Sequence, residues 1–218
     1  MIGRQMRPSV VVAVVLGCGL LLAAAAPQAH AALIARWDLD DGSGTTVSAD
    51  VGSITGTINN NAAWQIVEPP QTYIQQMPGP SNHLLFGGGI TDDVNFGNSS
   101  TLNPAHIRVG FWAKATGDHS TDVLLSKWNT AQNSDSSYEF GFSGAGDLFW
   151  RTRTNTTSEK KPGLTAADPF TATEFNDGNW HYIVGLYTGT KTSLFVDGKL
   201  IESINLTGNL SDSGGTTD

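Results

Sequence analysis

The sequence predicts an all-β protein on three observations. Apolar and polar residues alternate in short runs, most clearly from Ile107 to Ala113, where Ile107, Val109, Phe111 and Ala113 share one face. Tight-turn chemistry separates such runs. Asp197-Gly198 is the strongest case, because a type I′ hairpin turn needs positive φ at both central residues. The composition agrees: 25 glycines in 218 residues, with only 15% charged, suit many short strands rather than long amphipathic helices.

The chain opens with a secretory leader. Met1 to Arg7 is short and basic, Ser9 to Ala26 is apolar, and Ala29-His30-Ala31 places small residues for cleavage before Ala32. The apolar run is also nearly long enough to stay as an uncleaved anchor, but the cleavage site favours its removal. Residues 1–31 are therefore assigned to the signal peptide and 32–218 to one domain. Cys18 is the only cysteine and lies inside the leader, so the domain relies on its core, without a disulfide. The net charge is −8, and losing Arg4 and Arg7 with the leader makes it more negative. That excludes a nucleic-acid partner and an anionic membrane surface, both of which need a basic face.

The strands follow in order. Leu33 to Leu39 reads as the first, with Trp37 and Leu39 toward the core, ended by the turn residues Asp40 to Gly44. Gly56-Thr57-Ile58 is a short strand, followed by an Asn-rich turn into Trp64. Pro69 to Asn82 reads as an exposed connection, and Leu84 to Gly97 as a hairpin. Ile107 to Ala115 and Val123 to Trp128 are strands. Ser137–Ser143 and Asp147–Thr154 flank Gly144-Ala145-Gly146 as a hairpin. Asn155 to Ala167, with Lys160-Lys161-Pro162-Gly163, reads as a solvated loop. Asn179 to Tyr187 is a long strand on which Trp180, Tyr182, Val184 and Leu186 share a face, with Trp180 as a core anchor. Leu194 and Val196 follow on the next strand, before Asp197-Gly198 and a final strand from Lys199.

Two blocks carry a family resemblance. Asp177-Gly178-Asn179-Trp180-His181, followed by Phe195-Val196-Asp197-Gly198-Lys199, is one. Arg36-Trp37-Asp38-Leu39-Asp40-Asp41-Gly42-Ser43-Gly44, at the far end of the domain, is the other. Together they resemble the laminin G-like jelly roll of the concanavalin A-like lectin/glucanase group. The resemblance implies a two-sheet antiparallel jelly-roll sandwich, and a role for Trp180 and His181 in holding the fold. It also implies an extracellular binding domain that often carries one calcium, held by loop carboxylates and carbonyls. Asp50, in the Gly/Asn-rich loop, is the residue it nominates for calcium. Family members usually continue with two more strands, so the resemblance implies that the domain here is C-terminally incomplete.

Candidate ligand-binding residues are aromatics beside polar amides. Trp64 with Asn60 and Asn61, and Trp128 with Asn129, fit that description, whereas Trp37, Trp112 and Trp180 read as core. No catalytic residue is nominated. Asp38 and Asp40 alternate but lack the third carboxylate of the E-x-D-x-x-E arrangement, and Glu139 stands alone in its strand. His83, His106, His119 and His181 lack metal-ligand spacing. The expected function is a secreted, non-catalytic module that binds carbohydrate or an extracellular protein at the cell surface or matrix. A structural surface or biofilm protein with a lost C-terminal sorting tail is the first alternative, and a glycoside hydrolase of the same fold is the second.

Overall fold

The computed structural model describes residues 32–39, 41–65, 83–86, 92–117, 119–128, 136–156, 159–164, 175 and 177–211. The predicted leader and the connection from Pro69 to Asn82 lie outside the described residues. Within those residues the chain is almost entirely β, and its strands are antiparallel. In order they are β1 (Thr46–Val47), β2 (Gly56–Ile58), β3 (Ala63–Gln65), β4 (His83–Leu85), β5 (Val94–Asn95), β6 (Ile107–Thr116), β7 (Val123–Lys127), β8 (Tyr138–Phe142), β9 (Leu148–Arg153), β10 (Glu159–Lys160), β11 (Asp177–Tyr187), β12 (Lys191–Val196) and β13 (Lys199–Asn205). A 3-10 turn spans Ser100–Leu102, capped by the Ser99 side chain. No helix among the described residues is long and apolar enough to cross a membrane.

Two four-stranded sheets form the sandwich, in the orders β10-β9-β8-β7 and β13-β12-β11-β6. The inner face of the first carries Tyr138, Phe140, Phe142, Leu148 and Trp150. The second answers with Ile183, Tyr187, Leu194 and Val196, and both sets join one buried cluster. Each of the larger of these side chains contributes roughly 1.5–3 kcal/mol on burial. The sheets approach closely at Gly185. A methyl group there would lie within 2.7 Å of both Trp150 Cε2 and Phe140 Cζ, so only glycine admits the two rings. One buried polar link crosses the core, where Thr152 Oγ1 donates to Thr192 Oγ1 at 2.8 Å.

Smaller sheets precede the sandwich in sequence. β1-β2-β5 forms a three-stranded sheet and β3-β4 a two-stranded ribbon. Trp37 packs on Phe96 with ring centroids 4.4 Å apart, and its indole N–H donates to the Ile54 carbonyl at 2.7 Å. The chain from Leu33 onward belongs to one compact unit.

The long hairpins match the sequence reading. β8 and β9 pair as expected, β6 spans the predicted alternating run, and Asp197 and Gly198 have φ of 51° and 78°, as a type I′ turn requires. Several expectations are corrected. Leu33–Leu39 is not a strand. It makes one bridge, Arg36 to Val51, and Leu39 takes φ 55°, which ends extended pairing. His83–Leu85 and Val94–Asn95 do not pair with each other, because β4 joins β3 and β5 joins β2. Trp180 is not a core anchor. It is half-buried, edge-on to His83, while His181, Ile183, Gly185 and Tyr187 face inward. The tryptophan that does fill the core is Trp150, fully buried. Trp112 likewise sits half-buried against Tyr182 on the outer face of β6 and β11. The predicted loop contains an edge strand, Glu159–Lys160, with Glu159 paired to Arg153, and beyond it Gly163 is bridged to Phe149 and Pro162 and Leu164 are buried.

Candidate functional site

The nominated residues are held in three places. Asp50 is exposed, and its Oδ2 accepts from the Asp38 backbone N–H at 2.7 Å, tying the Trp37 segment to Val51. Among the described residues, no three His, Cys, Asp or Glu side chains gather as a metal cluster. A hard cation there would therefore draw further oxygens from backbone carbonyls. Asn60 and Asn61 form the turn before β3, with Asn60 at φ 54°. The Asn61 N–H donates to Asp92 Oδ1 at 3.1 Å, and the neighbouring Asn59 amide donates to Asp93 Oδ1 at 2.6 Å. Trp64 is half-buried in β3, and its indole N–H donates to the Gly44 carbonyl at 3.1 Å. Trp128 stands elsewhere, at the end of β7. Asn129 lies outside the described residues.

Around Trp128 the structure assembles a group that the sequence reading missed. Period-two alternation puts Leu148, Trp150 and Thr152 of β9 inside, and Phe149, Arg151 and Arg153 on the outer face of the sheet. The Arg151 guanidinium lies 3.9 Å from the Trp128 ring centroid and 5.8 Å from that of Phe149. Arg151 also bonds Glu139 Oε1 at 2.6 Å across the β8–β9 pair. Glu139 is only 5% exposed, so its charge depends on that partner. Arg151 and Arg153 both face Glu159, at 3.7 and 3.6 Å. Gly141, opposite Phe149 in the ladder, makes room for the ring. A methyl group at 141 would lie 3.0 Å from Phe149 Cζ. The Lys161 ammonium covers Phe149, 3.6 Å from its centroid. A cleft of about 150 Å³ opens beside it, lined by Ser143, Asp147, Phe149, Lys161, Gly163 and Glu202. The signal was present in the alternation of Leu148 to Arg153: two cations and an aromatic on the face opposite Leu148, Trp150 and Thr152.

A second cluster explains the sequence block around Trp180. His181 is pinned between carboxylates, with Nδ1 2.8 Å from Asp197 Oδ2 and Nε2 3.2 Å from Asp177 Oδ1. Asp197 Oδ1 accepts the Tyr182 N–H at 2.9 Å, so the hairpin turn is bolted to β11. Partial desolvation would raise the Asp177 carboxyl. Hydrogen bonds from the Asn179 side chain and backbone and from His181, together with the His181 charge, outweigh it and hold the group below the usual aspartate value. This cluster joins the start of β11 to the β12–β13 turn.

Two antiparallel sheets packed face to face, with an outward aromatic and charged row on one of them, define a concanavalin A-like jelly-roll sandwich. The chain belongs to the concanavalin A-like lectin/glucanases superfamily, whose laminin G-type model matches residues 86–218. No curated protein sequence matches the chain. Among solved structures, the binding domain of Paraclostridial Mosquitocidal Protein 1 is similar with a TM-score of 0.56 at 12% identity, over 76% of this chain and 39% of that one. The botulinum neurotoxin serotype G binding domain is similar with a TM-score of 0.52 at 10% identity, over 77% of this chain and 39% of that one. The chain thus spans about two fifths of the length of these solved chains. Likeness at this identity shows the fold alone.

Proposed function

We propose that the chain is a secreted, non-catalytic carbohydrate-binding module, with its ligand seat on the outer face of β7 to β10 around Trp128. The observation that carries this reading is the Trp128–Arg151–Phe149 stack. It places the half-buried Trp128 ring and the Arg151 guanidinium on the outer side of a sheet, away from the core, with the Phe149 ring buried on the same face under Lys161. Sugar rings offer C–H faces to aromatics and hydroxyls to charged donors, and this row supplies both. The structures named as binding domains support a binding role in general. Catalysis forms no part of the reading, because Glu139 and Glu159 both turn to Arg151.

A glycan array followed by isothermal titration with the best hit tests the proposal. Trp128→Ala is expected to weaken binding about tenfold, while Trp64→Ala, on the separate β3–β4 ribbon, leaves it unchanged. No glycan bound, or equal binding by the Trp128 variant, would sink the assignment. An extracellular protein ligand is the second reading. Val123 and Leu124, 55% and 36% exposed on edge strand β7, favour it as an apolar contact strip.

A further inference from the structure

Tyr138, Phe140 and Phe142 of β8 point into the core, so Glu139 stands on the outer face, where a carboxylate ordinarily reaches water. Glu139 is nevertheless only 5% exposed. In the ladder it pairs with Ser126 of β7 on one side and with Arg151 of β9 on the other. Trp128, two residues beyond Ser126, lies on the diagonal from it. A buried ion pair is a weak source of stability, since apolar residues of similar volume often serve as well. What such a pair adds here is direction.

Arg151 is offered two acids. Its Nη2 lies 2.6 Å from Glu139 Oε1, and its Nη1 lies 3.7 Å from Glu159 Oε1. Glu159 sits in β10, on the side of β9 away from β7, so its pull leads away from Trp128. That pull is also the weaker one. The Glu159 side chain is 35% exposed against 7% for Glu139, and it is shared with Arg153 at 3.6 Å. Among the described residues the buried Arg151 Nε–H has no hydrogen-bond partner, so the bond to Glu139 is what orients the guanidinium. Its carbon then lies 3.9 Å from the Trp128 ring centroid.

We infer that Glu139 is a positioning residue for the proposed ligand seat: its carboxylate holds Arg151 over Trp128 against the competing pull of Glu159. Without it, Arg151 is left to Glu159 and turns toward β10, and the seat loses the donor beside its aromatic ring. The ligand part of this inference rests on the carbohydrate reading above; the placement of Arg151 does not.

The experiment reads the stack by NMR and the seat on the glycan array, using the whole chain. The Trp128 ring current moves the Arg151 side-chain protons upfield, and the part of that shift lost in Trp128→Ala defines the stack. Glu139→Gln is expected to lose most of that shift and to lower the array signal about fivefold. Glu159→Gln is expected to keep both. Should Glu139→Gln fail to fold, Glu139→Asp keeps the charge but shortens the reach, and the same losses are expected of it. A shift kept in the folded Glu139 variant, or lost equally in Glu159→Gln, would overturn the positioning role. An unchanged array signal with the shift lost would also overturn it. A wild type that bound no glycan would overturn the carbohydrate reading and the seat with it, while the shifts alone would still decide whether Glu139 places Arg151.

Discussion

At Gly185 the fit of the two sheets comes down to one missing methyl group. Alanine there would press on Trp150 and Phe140, both fully buried in a close-packed layer. Gly185→Ala is therefore expected to lower stability by about 3 kcal/mol, read from urea unfolding. A loss below about 0.5 kcal/mol, the size of an ordinary surface change, would mean that the rings have room to shift. This residue also shows why the sequence named the wrong tryptophan as anchor. Along β11 one row reads Trp180, Tyr182, Val184, Leu186 and the other His181, Ile183, Gly185, Tyr187. The first is the more apolar and looks like the core. The second is inside because His181 finds two carboxylates and Gly185 yields its space to Trp150. Alternation reveals that two faces exist, but choosing between them needs the partner sheet.

Among the elements, the β11–β12–β13 unit was the most legible. Its Asp-Gly turn has one backbone solution, and the structure adopts it. The clasp of Asp177 and Asp197 on His181 then joins the start of β11 to that turn. Because the Asp177 carboxyl is held below its usual value, its contribution is present above the unfolded-state pKa of about 3.9 and fades as pH falls through the lower folded value. Asp177→Asn removes that dependence. The stability difference between wild type and variant should shrink as pH falls below about 4, as measured by melting at a series of acidic pH values. A difference independent of pH would show that the clasp acts by shape rather than charge. The elements that misled were short or marginal ones. Leu33–Leu39 has strand-like residues but only one bridging partner, and Glu159–Gly163 has loop-like residues but an open edge beside β9 to join. In both cases pairing, a non-local property, decided against local propensity.

For the molecule as a whole, the fold class and the superfamily were readable because turn chemistry and alternation recur along the chain. The candidate site was less so. Trp128 was nominated from its own residue type, whereas Glu139, Phe149, Arg151 and Lys161 became relevant only when β7, β8, β9 and the β10 edge were laid side by side. Calcium at Asp50 is a proposal that concerns overall stability, since a cation bound only by the folded state raises the melting temperature. A rise is expected at millimolar calcium and is expected to be absent in Asp50→Ala. An unchanged melting curve would remove the metal from the account.

The close approach at Gly185 also bears on descent. Trp150 and Gly185 lie far apart in the sequence, yet the space at one is set by the ring at the other. A side chain gained at 185 would need room made first at 150 and 140, so the order of those changes would not be free.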